Sequence, residues 1–517
     1  MAEKSPSTFT MAGILAQTLL AFLLVASGLH AQPLGFFPDS NRAGRVKSVA
    51  PVVDQLFQEY CTRHHLPGLA YGIVVDSELV MSGGIGYANL VKQSPAGTRS
   101  HFRIASMSKS FTALAILQLR DQGKLRLDDP VTNYLPEMKG LAPLTTDAPV
   151  ITIRHLMTHS AGFPEDDPWG DRQLADSDQE LRDFIQRGIS FSNVPGIRFE
   201  YSNLGFALLG QIVQVVSGME FKVYMKEHVF DPLGMENTVY EYTELPKESL
   251  ALGYGWIDSS WVNIPHEHHG AYGAMGGLIT SIEDFTSYVA LHLSAWPPRS
   301  DQENGVLKRS SLREMHHPWN LPSLEPSFPY PSGRKCPSVS AYGFGLGWRK
   351  DCDARVTVGH SGGLPGFGSD WRIMPDYGLA VMSFDNRTYG GTSMVNMIVL
   401  DTILALTKLE PRREVVSAVL ERRKKALVKL LPEWQEAEAS GMFAENFFID
   451  NRLKDLVKKS KEFFAKAGTI TGIGPIVAEN QLRGSFSIEG EKGKIRVYFT
   501  LTPEKEALIQ ELRMRAE

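Results

Sequence analysis

Residues 50–62 (APVVDQLFQEYCT) place apolar side chains three and four apart, the spacing of one helix face. Two apolar runs follow, LAYGIVV at 69–75 and LVMSGGIGYAN at 79–89. Asp76-Ser77 between them reads as the turn of a β-hairpin. Residues 106–122 carry a strong helical pattern with Gly123 as its stop. Helical spacing and loops dominate from there to about residue 293. Residues 297–340 are rich in Pro and Ser and are expected to form a long irregular loop. Strand-like runs then appear at 355–358, 370–374 and 379–384, followed by a helix over 392–406. Strands thus stand at both ends of this region and helices between them. One sheet built from both ends, with a helical insertion, accommodates that order.

The pattern changes after residue 408. Residues 409–441 are charged and helical in spacing, include Arg422-Arg423-Lys424-Lys425, and are expected to be a solvated linker. Residues 442–467 look like one or two helices with aromatic positions. Strands are expected at 476–487, 494–501 and 508–513. The segment 442–517 therefore reads as a separate small α+β domain. At the other end, residues 14–29 (ILAQTLLAFLLVASGL) are almost wholly apolar and lead into small residues. Residues 1–31 are read as a secretory signal peptide, with a retained membrane anchor as the alternative. The expected location is exported, periplasmic or extracellular, with membrane association only through this segment.

Composition narrows the class. The chain has 517 residues, 43% hydrophobic and 21% charged, with a formal net charge of −5. That balance lacks the basic footprint of a nucleic-acid partner. Three cysteines (Cys61, Cys336, Cys352) are too few for a disulfide scaffold and lack metal-site spacing. One bridge could form, and Cys336 with Cys352 is the nearest pair, but spacing leaves the pairing open.

Candidate chemistry begins with VGHSGGLPGFGS (358–369), whose Gly359-His360-Ser361-Gly362-Gly363 matches G-x-S-x-G. A nucleophile elbow needs a preceding strand, a following helix and a later triad histidine. RVTV (355–358) supplies the strand, but LPGFG cannot open a helix. All 14 histidines lie at or before His360. Ser361 is therefore expected to be a bystander whose side chain points away.

FRIASMSKSFT (102–112) is the stronger candidate, because Ser106 and Lys109 are three apart at the mouth of a helix and share a face. Serine attacks only when a neighbour takes its proton. An ordinary lysine is neutral in about one molecule in 2,500 at pH 7, a cost of about 4.6 kcal/mol. Burial and the positive end of the helix dipole both reduce that cost. S-x-x-K alone is weak; Ser332 and Lys335 also match, in the Pro-rich stretch. A second element is Tyr201-Ser-Asn203, just before a helical run, and the third is His360-Ser361-Gly362. Tyr87-Ala-Asn89 repeats the second pattern inside a strand.

In the order Ser106/Lys109, Tyr201/Asn203, His360/Gly362, the chain resembles the class C β-lactamase-related serine hydrolases. That family includes penicillin-recognising D-Ala-D-Ala carboxypeptidases, D-aminopeptidases and β-lactamase-like esterases. ITIRHLMTHSAG (151–162), DPLGM (231–235), GAMGG (273–277) and YGFGLGW (342–348) support the resemblance, which covers about residues 45–405. It implies an α/β (α+β) fold in which an antiparallel sheet from both chain ends is flanked by helices, as one hydrolase domain over 45–408. It implies Ser106 as the acylated nucleophile, Lys109 as its base and Tyr201 as a partner in proton transfer. Asn203 would bond substrate and help hold Lys109, and His360 would stand near Tyr201 as a further catalytic residue, for polarity and proton traffic. The backbone N–H groups of Ser106 and Gly363 would form the oxyanion hole, with Gly362 and Gly363 letting the strand approach the acyl group. No cofactor and no metal are implied, and the partner is a small-molecule or peptide substrate. β-Lactamase members usually carry Lys-Thr-Gly where this chain has His-Ser-Gly. The change removes a fixed positive charge suited to a substrate carboxylate and favours the peptidase and esterase branches. A true β-lactamase and a catalytically silent binding or regulatory member stay as alternatives. The C-terminal segment faintly resembles cystatin-like or NTF2-like accessory domains.

Three other features carry weaker readings. His266-Glu-His268-His269 is expected to be a polar loop at the site's rim rather than a metal cluster. EDDPWGD (165–171) lacks the calcium-loop pattern. Asn386-Arg-Thr388 is a glycosylation sequon that matters only in a eukaryotic source.

Overall fold

The computed structural model describes residues 34–303, 305–330 and 333–517. The signal-peptide reading of residues 1–31 lies outside the described residues. Among the described residues no single helix is long and apolar enough to cross a membrane. Two compact units emerge, one of Asp39–Trp296 and Glu303–Pro411, the other of residues 34–38, 297–302 and Arg412–Glu517.

The larger unit is built on a nine-stranded antiparallel sheet. Its strands are β1 (Gly68–Val75), β2 (Glu78–Asn89), β3 (Ser94–Pro95), β4 (Asn320–Pro329), β5 (Lys335–Tyr342), β6 (Gly347–Asp351), β7 (Val356–Leu364), β8 (Phe367–Met374) and β9 (Leu379–Asp385). They lie in the order β3-β2-β1-β9-β8-β7-β6-β5-β4. Both ends of the region meet where β1 pairs with β9, Leu69 opposite Asp385 and Val75 opposite Leu379. The helices that position the site are α1 (Ala50–Arg63), α2 (Ser108–Asp121), α3 (Asn203–Ser217), α4 (Ile282–Ser294) and α5 (Ser393–Thr407).

Strand β1 is buried at every position because both of its faces are covered. Leu69, Tyr71, Ile73 and Val75 pack with Val53 and Phe57 of α1 and with Val395, Val399 and Ile403 of α5. Ala70 and Val74 point the other way, into the larger core that holds Ile282 and Phe285 of α4 and most of α2. Period-two alternation with two apolar faces yields the unbroken apolar run seen in the sequence. Helix α2 is buried on all sides from Ser108 to Leu119, so it has no solvent face.

The stretch read as an irregular loop is the main correction in this unit. It contains a helix over Arg309–Met315 and the strands β4 and β5. β4 is an edge strand, mostly exposed, and its pairing with β5 is broken by register shifts. An edge tolerates the prolines that argue against a strand in the sequence. Cys336 in β5 is joined by a disulfide to Cys352, just past β6. Cys61 is a free, buried thiol.

In the smaller unit, α6 (Ala418–Leu430) and α7 (Leu453–Ala467) accompany a five-stranded antiparallel sheet. Its strands are β10 (Ile470–Ile473), β11 (Val477–Asn480), β12 (Arg483–Gly490), β13 (Lys494–Leu501) and β14 (Ile509–Ala516). The expected single strand at 476–487 is instead a tight hairpin, and β10 was not anticipated. The segment read as a solvated linker also differs. Leu420 and Leu427 of α6 and the buried Trp434 share one core with Phe486, Val497 and Ile509. Charges on the outer face of α6 mask the apolar stripe that ties it to this core. Trp434 Nε1 donates to the buried Ser460 hydroxyl at 2.7 Å, which satisfies both polar groups.

Candidate active site

Ser106 sits in a short turn, Ala105–Met107, that leads into α2. Ala105 has φ +50°, a left-handed conformation that costs a residue with a Cβ about 1–2 kcal/mol. The surroundings hold it there. Ser108 Oγ donates to Ala105 O at 2.7 Å and accepts from Leu278 N–H at 3.1 Å. Ser369 Oγ donates to Ile104 O at 2.8 Å. The strained elbow of this site is therefore at Ala105, ahead of Ser106.

One turn further on, Lys109 is wholly buried. Its Nζ lies 2.9 Å from Ser106 Oγ, 2.7 Å from Asn203 Oδ1 and 3.1 Å from Met275 O. The last two partners are carbonyl oxygens, which can only accept. In a neutral amine they take both hydrogens and leave the lone pair aimed at Ser106. Burial pushes the Lys109 ammonium down to about 8, against the pull of Asp167, Asp171 and Asp166, which favour the charged form. About one molecule in ten is then neutral at pH 7.

Tyr201 and Asn203 flank the N-cap Ser202 of α3, whose Oγ accepts from Gly205 N–H at 3.2 Å. Tyr201 borders the same cavity as Ser106, and burial pushes its hydroxyl pKa well above that of a free phenol. Lys109 Nζ stands 4.7 Å from the centre of the Tyr201 ring. His159, from the ITIRHLMTHSAG stretch, packs 4.3 Å from that ring and accepts from Ser202 N–H at 3.0 Å through Nδ1. Asn203 Nδ2 is taken up by Asp167 and, at 3.4 Å, by Asp171. Both ends of the Asn203 amide are thus engaged inside the protein. It holds Lys109, but the expected bond to substrate has no free group here. Asp166 accepts from Asn203 N–H at 2.6 Å and Leu204 N–H at 2.8 Å, which fixes the start of α3.

The third wall is β7. A Cβ on Gly362 would collide with Ile104 O and stand 2.9 Å from Ala105 Cβ, so only glycine lets β7 pack on the nucleophile's turn. The His360 ring lies 6.2 Å from that of Tyr201. Its Nδ1 is bonded to Ser361 O, which can only accept, so Nδ1 carries the hydrogen. Nε2 then accepts from Tyr342 Oη at 2.9 Å. Burial, with the nearby Lys109 charge, pushes the imidazolium down to about 3. His360 is a neutral ring with both nitrogens occupied, a positioning group rather than the carrier of proton traffic that its neighbourhood suggested. Ser361 corrects the sequence reading, being exposed and bordering the cavity instead of pointing away.

All the candidate residues converge. Ser106, Tyr201, His360, Ser361, Gly362 and Gly363 line one open cavity of about 510 Å³, with Lys109 and Asn203 behind Ser106. Asp167, Asp171 and Tyr389 line it as well. Sequence reasoning weighed the acidic stretch only as a calcium loop and missed its place here. No spacing rule connects residues 165–171 with α2. Tyr342, part of the YGFGLGW motif, carries no signal in the sequence for its bond to His360. Burial and the neighbouring Asp167 push the Asp171 carboxyl up to about 6. In the HEHH stretch, His266 bonds Ala251 O and His268 bonds Glu241. Among the described residues no three metal-ligating side chains come together.

Comparison with known proteins identifies the family and the fold. Protein flp of Staphylococcus aureus (strain MW2) is 29% identical over 344 residues, 65% of this chain and 63% of that protein. The chain thus spans less than two thirds of the length of that relative. Beta-lactamase-like protein 2 of Dictyostelium discoideum is 33% identical over 277 residues, 52% of this chain and 49% of that protein. Among solved structures, a penicillin-binding protein from Bacillus halodurans superposes with a TM-score of 0.52 at 26% identity, covering 68% of this chain and 99% of its own. A class C beta-lactamase mutant shares the fold, with a TM-score of 0.54 at 18% identity over 69% of this chain and 97% of its own. An octameric penicillin-binding protein homologue from Pyrococcus abyssi does so over 90% of this chain and 99% of its own, with a TM-score of 0.56 at 22% identity. Residues 53–405 match the beta-lactamase domain family, and since they make up well over half of its length, the chain belongs to that family.

Proposed function

We propose that the protein is a serine hydrolase that forms an acyl-enzyme on Ser106. The observation that carries this reading is the buried Lys109 amine 2.9 Å from Ser106 Oγ, with its other partners limited to carbonyl oxygens. Neutral Lys109 takes the serine proton as Oγ attacks the carbonyl. The N–H groups of Ser106 and Gly363 hold the resulting oxyanion. Tyr201, a phenol kept neutral by burial, passes a proton to the leaving group and later receives one from the water that frees the acyl group.

The substrate class is a small amide, a D-amino-acid peptide or an ester. Among the described residues the cavity wall carries Glu165, Asp167 and Asp171 and, apart from Lys109 behind Ser106, no cation beside the neutral His360. This arrangement disfavours a free carboxylate beside the scissile bond, whether of a β-lactam or of a peptide C-terminus, and suits a neutral or cationic substrate such as an ester or a D-aminoacyl amide. Export fits the apolar segment at 14–29 and the Cys336–Cys352 bridge, a bond of oxidising compartments.

The test is labelling with an active-site-directed fluorophosphonate, together with hydrolysis of D-Ala peptides, short-chain esters and nitrocefin. Labelling and turnover should vanish in Ser106→Ala and survive in Ser361→Ala. Turnover of uncharged esters should exceed that of nitrocefin, and D-Ala peptides should be cleaved faster as C-terminal amides than as free acids. Labelling that persists in Ser106→Ala and disappears in Ser361→Ala sinks the assignment.

A further inference from the structure

Tyr389 has no part in the acyl transfer described above, yet it borders the same cavity. It lies in the turn between β9 and α5 with φ +49°, a conformation strained for any residue with a side chain. Its N–H donates to Leu364 O at 3.3 Å, which ties the turn to the end of β7. The ring rests on Gly363, where a Cβ would stand 2.8 Å from Tyr389 Cδ1. The hydroxyl donates to Asp171 Oδ2 at 3.0 Å. Asp171 is 2% exposed, so the anchor is sunk in the wall while the ring faces the cavity. Tyr389 therefore reaches from β7 to the acidic loop.

The direction of β7 says which part of a substrate meets this ring. His360, at one end of the motif, stands beside Tyr201, and Gly363, at the other, stands under Tyr389. A leaving group must lie by its proton donor, Tyr201. The substituent on the far side of the carbonyl then points toward Gly363. We propose that Tyr389, held by Asp171, is a specificity-determining residue that caps the acyl end of the cavity and restricts the enzyme to short acyl groups. This rests on the serine-hydrolase reading.

The test measures kcat/KM for p-nitrophenyl acetate, butyrate and octanoate with the wild type, Tyr389→Ala and Tyr389→Phe, with fluorophosphonate labelling of Ser106 in parallel. The wild type should favour acetate. Tyr389→Ala should raise the octanoate-to-acetate ratio at least tenfold with labelling retained. Tyr389→Phe keeps the ring, loses the tie to Asp171, and should raise the ratio by a smaller factor. It preserves the fold if the alanine variant does not. Unchanged ratios in variants that still label overturn this inference alone. So does a shift confined to a series of alkyl acetates, which varies the leaving group. A wild type that neither labels nor cleaves any of these compounds overturns the serine-hydrolase reading as well.

Discussion

At the scale of single residues, the site balances two opposed effects on Lys109. Burial disfavours the ammonium and the carboxylates of Asp167, Asp171 and Asp166 favour it, leaving the group near 8. The base acts only when neutral, so kcat/KM on an uncharged ester should rise with pH through about 8. Asp167→Asn removes a charge that stabilises the ammonium. The Lys109 pKa should then fall and the rising limb of the profile should move to lower pH. A limb that stays in place or moves up would refute this account. Ser106 and Lys109 were legible in the sequence because helical spacing alone sets them on one face. The carboxylates were not, because they arrive on a loop whose contact with Asn203 spans 36 residues.

Among the elements, the fit between β7 and the turn that carries Ser106 is the critical one. Gly362→Ala adds a methyl against Ile104 O and Ala105 Cβ, two groups held by backbone bonds. The strand must retreat, at about 1–3 kcal/mol, and labelling of Ser106 should slow. Ala105→Gly does the opposite to stability. It relieves the φ +50° strain and should add up to about 1 kcal/mol while loosening the turn, so that melting temperature rises as labelling slows. Thermal melts paired with labelling rates check both. Long apolar elements such as β1, α2 and α5 were legible because their faces repeat at 2.0 or 3.6 residues. β4 was not, since an exposed edge rich in proline shows neither period.

For the whole molecule, each unit has its own core. The larger one holds every candidate residue, and the smaller one closes around Leu420, Trp434 and Phe486. A chain ending at Pro411 should therefore keep fluorophosphonate labelling of Ser106 at close to the full-length rate, measured by gel fluorescence against time. A large drop would assign the second unit a part in catalysis. That α6 belongs to the second core was hidden in the sequence by the run Arg422-Arg423-Lys424-Lys425, which reads as solvated surface.

The sequence by itself determined the Ser106/Lys109 pair, the order of the three motifs and the sheet assembled from both ends. Each of these rests on local spacing or on the order of elements, which a linear pattern records. Only the tertiary structure decided that Asn203 is turned wholly inward, that His360 is locked by Tyr342, and that Ser361 faces the cavity. It alone brought Asp171 to Tyr389, a contact across 218 residues. Such contacts join loops from different parts of the chain, and a loop's final position leaves no period in the sequence.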